Sequence, residues 1–284
     1  MNYDYIKKIN IHGLRNPKLI QFGTKIIIIG SKEYCSLKDK KKYLLYSYLL
    51  DENINLLEGT ENILNFENIE TDYKVNINIS SWIRDIYLKE NKYYLLIEFK
   101  KNNDNEYFTS NHYLLKTSNF LNFEIEKKYN IENIFFKDYN NNYFISKIEK
   151  TNHIWGKYLF EFIINDSIII PIFDNIVDYD NDYGHILHNL EYIENLQKYY
   201  IIFSIRHHSL DEENNFYYKI YEAFSNDLIN YYDTKELELF MYKQVTSNWF
   251  CYPWKFYFNN NEYIVCNQDD YGKNKEPILF IKNK

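Results

Sequence analysis

The chain has 284 residues, 45% of them hydrophobic and 26% charged, with a net charge of −7. That composition supplies a sizeable core. The acidic balance speaks against a nucleic-acid partner, because neutralising phosphates needs a basic face, and against an anionic membrane surface. Cys35, Cys251 and Cys266 stand apart with no Cys-x-x-Cys spacing, which argues against a disulfide framework or a zinc site.

The N-terminal residues carry no apolar signal region, and no window approaches 18 apolar residues, so a cytoplasmic protein that makes no use of a membrane is expected. Thirty-one Tyr, 20 Phe and 4 Trp are unusual. They fit a codon bias shared with Lys, Asn and Ile, and they equally fit aromatic stacking on sugar rings.

No long run shows apolar residues at i, i+3, i+4 and i+7. Short runs of Ile, Tyr, Phe and Val alternate with Asn, Asp, Lys and Gly clusters, the mark of antiparallel strands. A two-strand unit recurs along the chain. The first copy runs from Leu14 to Ile20, turns at Phe22-Gly23-Thr24 and returns from Lys25 to Gly30-Ser31. The second is Ser81 to Leu96. The third is Ile131 to Ser146, with a turn at Asn140-Asn141-Asn142. The fourth is Gly184 to Ser204. The fifth is Tyr252 to Val265, with a turn at Asn259-Asn260-Asn261.

An outer element also repeats: Leu115 to Glu124 parallels Glu222 to Tyr231, each a strand ending in a Ser-Asn turn followed by an aromatic. Units of roughly 50–65 residues with about four strands suit propeller blades. The predicted fold is therefore all-β, a five-bladed β-propeller occupying residues 1–284 as one domain.

The chain resembles the five-bladed β-propeller glycosidases, that is, family 43 and its family-32 and family-130 relatives. Arg15-Asn16-Pro17-Lys18-Leu19-Ile20, followed by Gly30-Ser31, is similar to the family's blade-one Arg/His-Asp-Pro-x-Ile and Gly-Ser. Trp82-Ile83-Arg84-Asp85 is similar to its Trp-Ala-Pro-Asp, and Ile131-Glu132-Asn133-Ile134 to its Ile-Glu-Gly-Pro. Ser225-Asn226-Asp227-Leu228-Ile229-Asn230-Tyr231 is similar to its Ser-x-Asp-Leu-x-x-Trp.

The resemblance implies a carbohydrate or sugar-containing substrate. Some relatives hold a calcium ion on the propeller axis, but no calcium loop or other metal motif stands in this sequence, so neither cofactor nor metal is expected. It places Glu132 as general acid, Asp85 as the residue that orients it, and Asn16 where the family has its general base. An amide has no useful basicity, so hydrolysis by inversion, which needs an acid and a base, lacks one partner at Asn16. Three readings follow. An anionic nucleophile such as phosphate needs no base, and Arg206-His207-His208 would clamp it. Another carboxylate, Asp269, Asp270 or Glu33, could supply the base. Or the propeller binds a sugar without catalysis.

Arg15, Arg84, Trp82, His185, Tyr252 and Trp254 are the further expected substrate contacts, with Trp155 and Trp249 as possible stacking residues. Intracellular glycan metabolism or polysaccharide assembly is the expected setting.

Overall fold

The computed structural model describes residues 2–37, 40–66, 79–101, 109–129, 136–139, 142–149, 157–164, 167–169, 171–174, 182–208, 216–240, 249–269 and 276–283. Among them every regular element is a strand. Blade one comprises β2 (Arg15–Phe22), β3 (Lys25–Leu37), β4 (Lys40–Leu50) and β5 (Asn62–Ile63). Blade two comprises β6 (Ile79–Lys89), β7 (Lys92–Lys101), β8 (Thr109–Thr117) and β9 (Glu124–Tyr129). Blade three comprises β10 (Phe136–Tyr139), β11 (Asn142–Glu149), β12 (Lys157–Ile164) and β13 (Ser167–Ile169).

In blade four, β15 (Asp182–Ile193), β16 (Lys198–His208), β17 (Phe216–Ser225) and β18 (Asn230–Glu236) form a meander, and β14 (Ile172–Phe173) adds to its outer edge. Blade five takes β20 (Trp249–Phe258), β21 (Asn261–Asp269) and β22 (Pro277–Lys282) from the C-terminal end. It then adds β1 (Asn2–Lys8) and β19 (Glu238–Phe240).

The predicted five-bladed propeller is thus present, and each predicted two-strand unit, as far as its residues are described, forms the inner hairpin of one blade. The predicted turns hold: Phe22 pairs with Lys25, Tyr139 with Asn142 and Phe258 with Asn261. The ring is continuous: β2 packs on β20 and β21, β4 on β6, β6 on β10, β12 on β15, and β17 on β20.

The sequence pattern did not show how the ring closes. β1, from the start of the chain, pairs antiparallel with β22 from its end, Tyr3 opposite Lys282 and Lys8 opposite Ile278. Tyr3 is fully buried in a cluster with Tyr200, Ile264 and Phe280. Its hydroxyl donates to Glu262, which also accepts from Tyr257 and pairs with Lys282 and Lys255. Burial pushes the Glu262 carboxyl up, but the charge of Lys255, the Tyr3 hydroxyl and Lys282 outweigh it and hold it below its ordinary value.

Blades one, two and five share one apolar core through Leu19, Ile28, Ile83, Ile97, Trp254 and Val265. Each fully buried aliphatic side chain contributes about 1.5–3 kcal/mol before entropy is charged.

The repeated outer element is one turn used in three blades. Thr117 Oγ1 accepts from the N–H groups of Asn119 and Phe120, and Asn119 Oδ1 from those of Leu121 and Asn122. Ser225 and Asp227 make the same pattern with Asp227, Leu228, Ile229 and Asn230. Asp51 caps the matching turn after β4. In all three the residue three positions on, Ile54, Phe120 or Leu228, is buried at a φ of 60°, 59° and 66°. Left-handed backbone is costly for such residues. The side-chain hydrogen bonds and the burial offset that cost.

Three variants test this description by denaturant unfolding. A Cβ on Gly30 would lie 2.7 Å from both the Arg15 carbonyl oxygen and Leu14 Cγ. Gly30→Ala should therefore lose about 1–3 kcal/mol. Tyr3→Ala should lose about 3–5 kcal/mol through the cavity it leaves. Tyr3→Phe, which keeps the ring and removes one of several donors to Glu262, should lose only about 1 kcal/mol.

Candidate functional site

Each described inner strand with a predicted site residue breaks its alternation at least once. The register of β2 on β3 shifts between Arg15 and Lys18, at Asn16-Pro17. That of β6 on β7 shifts at Arg84, that of β15 on β16 between Asp182 and His185 and again at His188, and that of β20 on β21 at Tyr252-Pro253. Such bulges re-aim side chains and are common at functional sites.

In β6, Ile83 and Ile86 both face the apolar core. The extra residue therefore sends Arg84 and Asp85 together to the other side, where Glu98 lies. In β15, Leu187 and Leu190 face a core, and His188 and Asn189 are sent together to the side facing blade five. The two bulges read Ile-Arg-Asp-Ile and Leu-His-Asn-Leu, so a cationic or basic residue followed by a carboxylate or amide opens each blade. Arg15-Asn16 is the counterpart in blade one.

These residues converge through a chain of contacts. Asn16 Nδ2 donates to the Ile83 carbonyl, next to Arg84. Two residues beyond Asn16, Lys18 is buried with its Nζ 4.3 Å from the Trp254 ring centre. Two residues before Trp254, Tyr252 meets His188 edge-on with ring centres 6.4 Å apart. His188 Nε2 lies 2.8 Å from Ser204 Oγ. Burial first, then the charges of Lys18 and Arg84, push its pKa well below the ordinary imidazole value. His188 is therefore neutral near pH 7.

Arg84 Nη2 is ion-paired to the buried Glu98. Asp85 is buried and its Oδ1 accepts from the Ile86 N–H at 2.9 Å. Farther out, the Arg15 guanidinium lies 4.9 Å from the Tyr43 ring centre, and Tyr43 packs on Trp82 at 5.0 Å. All three are half-buried.

The expected residues divide accordingly. Asn16, Arg84, Asp85 and Tyr252 come together with Lys18 and His188, and Arg15 and Trp82 share a stack. Trp254 serves the blade contact: its Nε1–H donates to the Leu19 carbonyl at 3.0 Å, and one face meets Lys18. Asn16 is a stitch between blades as well as a site residue, because its amide is engaged by Ile83 and its backbone N–H by Asn267 Oδ1 at 2.8 Å. Glu33 is exposed.

Glu132, Asp270 and Trp155 lie outside the described residues. For His185, Arg206, His207, His208, Trp249 and Asp269 the backbone alone is described: His185 pairs with Ile205, and Arg206 with Tyr218. Lys18, Tyr43 and His188 went unread in the sequence. The signal for His188 was the apolar-polar-polar-apolar step shared with Ile83 to Ile86. Among the described residues no group of three or more His, Cys, Asp or Glu could hold a metal ion.

No protein-family model matches the chain, and no curated protein matches it by sequence. Solved structures do. A thermostable family-43 glycoside hydrolase aligns with a TM-score of 0.59 at 10% identity, covering 99% of this chain and 96% of its own. An endo-arabinase from Bacteroides thetaiotaomicron VPI-5482 aligns at 0.58 and 11% identity, covering 99% and 98%. The Cellvibrio cellulosa alpha-L-arabinanase complexed with arabinohexaose aligns at 0.54 and 12% identity, covering 98% and 94%. The likeness runs the length of both chains and is one of fold: this chain has the five-bladed propeller fold seen in family-43 glycoside hydrolases.

Proposed function

We propose that the protein acts on a glycan or an activated sugar at the mouth of the propeller axis. In this reading Glu132 is the general acid, Asp85 orients it, and Arg15, Trp82, Arg84, His188 and Tyr252 contact the sugar. The observation that supports the proposal is the set of bulges in β2, β6, β15 and β20, each of which falls at or next to an expected site residue. The fold likeness to family-43 enzymes supports it, and arabinose-containing polymers are first substrates to try.

A second reading, sugar binding without hydrolysis, is favoured by Asn16. Its amide must donate to the Ile83 carbonyl, and a carboxylate at that place would confront another acceptor. A nucleophile that is already anionic would circumvent the missing base, and phosphorolysis is the catalytic form most compatible with Asn16.

A panel of aryl glycosides assayed with and without phosphate separates these. Release that requires phosphate and falls at least 100-fold in Glu132→Gln supports phosphorolysis. Sugar binding with no release, unchanged in Glu132→Gln, supports the binding protein. If no sugar is bound or turned over, the carbohydrate reading fails. Asn16→Asp should not restore hydrolysis and should cost about 1–3 kcal/mol in stability, because an acceptor then faces the Ile83 carbonyl. A stable Asn16→Asp variant with new phosphate-independent hydrolysis would show instead that the position is a vacated base.

A further inference from the structure

Several part-buried cations of this protein are tied to carboxylates: Arg84 to Glu98, Lys32 to Glu61 and Lys255 to Glu262. Arg15 is half-buried too, but an aromatic ring holds it. Its Cζ lies 4.9 Å from the centre of the Tyr43 ring, and Tyr43 packs on Trp82 with ring centres 5.0 Å apart and planes inclined at 37°. Among the described residues no hydrogen bond or ion pair engages the guanidinium.

The stack is built across a seam. Arg15 comes from β2 and Tyr43 from β4 of blade one, and Trp82 from β6 of blade two. Arg15 stands opposite Ser31, and Ser31 opposite Leu45, two residues along from Tyr43. Arg15 and Tyr43 therefore take the same side of the sheet. That side meets blade two. Ser31 Oγ donates to the Ser81 carbonyl at 2.9 Å, Ser81 Oγ accepts from the Leu45 N–H at 3.2 Å, and Ser80 Oγ accepts from the Tyr43 N–H at 3.1 Å. The residues that follow Arg15 and Trp82 are joined as well, since the Asn16 amide donates to the Ile83 carbonyl. The backbone on both sides of the stack is thus fixed beside Asn16.

Two acids stand near in the register. Glu33 lies opposite Tyr43 and is exposed, and Glu98 lies opposite Trp82 and is held by Arg84. Half-burial strips a guanidinium of part of its water, and an aromatic face returns only part of what is lost. Its planar fork of N–H donors fits the oxygens of a carboxylate or a phosphate.

We infer that Arg15, positioned by Tyr43 and Trp82, is a specificity residue that recognises an oxyanion carried by the sugar, at the seam of blades one and two. The oxyanion is the carboxylate of an acidic sugar or the phosphate of an activated one. This rests on the carbohydrate reading above and specifies its ligand class. Lysine at this place would supply the charge without the planar fork. Tyr43 acts through Arg15, and for that role any aromatic face serves.

The test is calorimetry on the full chain at about pH 7.5, where carboxylates and sugar phosphates are ionised. The probes are D-galactose, D-galacturonate and galactose 1-phosphate, the same three forms of D-glucose, L-arabinose, and inorganic phosphate. The readout is the affinity of a charged sugar relative to its neutral partner, a ratio that a general weakening of the fold or of ring contacts does not move. The ratio should be at least 10 for one of the two sugars and should fall as salt is raised from about 0.05 to about 0.5 M. Arg15→Gln should bring it close to 1. Tyr43→Leu should lower it at least 3-fold, and Tyr43→Phe should keep it. If Arg15→Gln does not fold, Arg15→Lys takes its place, with a ratio below that of the unaltered protein.

A higher ratio for the sugar acid assigns the subsite to acidic sugars, and a higher ratio for the sugar phosphate assigns it to activated ones. A ratio near 1 in the unaltered protein, or one that Arg15→Gln leaves intact, overturns the inference, while binding of the sugars leaves the carbohydrate reading standing. Inorganic phosphate bound as tightly as either charged sugar, with the same dependence on Arg15, overturns it too, because the anion is then not part of the sugar. Absence of binding by every sugar overturns both.

Discussion

A propeller has to hold neighbouring sheets side by side without a shared ladder of backbone hydrogen bonds. The inner strands face one another around the axis with unmet N–H and C=O groups, and buried groups of this kind must find partners. Here side-chain amides and hydroxyls provide them. Asn16 donates to Ile83 of blade two, and Asn267 of blade five both accepts from the Asn16 N–H and donates to the Leu14 carbonyl. Asn189 of blade four accepts from the Lys255 N–H of blade five. Ser31 donates to the Ser81 carbonyl, while Ser80 and Ser81 accept from Tyr43 and Leu45. Each link contributes about 0.5–1.5 kcal/mol, and losing one leaves a buried group unmet at a greater cost.

The bulges that supply the Asn16 and Asn189 stitches also carry candidate site residues. A bulge sends two consecutive polar residues to one side of a strand whose flanking residues, Ile83 and Ile86 or Leu187 and Leu190, remain in the core. One residue of the pair can then bind the neighbouring blade while the other reaches the axis. Gly30 shows how tight the arrangement is. It lies opposite the bulge of β2, where the Arg15 backbone comes too close for any Cβ. Stability and site geometry therefore depend on the same few residues.

Much of this was legible in the chain, and the reasons for the rest are physical. Period-two alternation and the Gly23, Asn140–Asn142 and Asn259–Asn261 turns marked the inner hairpins, because those signals are local. The closing strand β1 gave no such signal, since its partner β22 lies at the other end of the sequence. Asp85 was singled out from its place beside Trp82, and it is buried with its Oδ1 on the Ile86 N–H. His188 was not singled out because a one-residue insertion changes the side of the strand that a residue takes without changing the hydrophobic pattern much. The structural duty of Asn16 could not be read at all, because its partner is the carbonyl of Ile83, 67 positions away.

The equivalent pairs at the blade openings explain which of them can carry an acid. The second member is Asn16 in blade one, Asp85 in blade two and Asn189 in blade four. Asn16 is required as a donor, to the Ile83 carbonyl. Asn189 is used as an acceptor, from the Lys255 N–H. Asp85 is likewise an acceptor, from the Ile86 N–H. A carboxylate can only accept, so the backbone group that each side chain meets, a carbonyl of blade two for Asn16, an N–H of blade five for Asn189 and the next N–H of its own strand for Asp85, determines where ionised oxygen can stand. By that criterion blades two and four are open to a carboxylate and blade one is closed to it. The amide at Asn16 is then a consequence of how blade one is joined to blade two: the Ile83 carbonyl needs a donor, and of the two side chains Asn and ionised Asp only the amide supplies one.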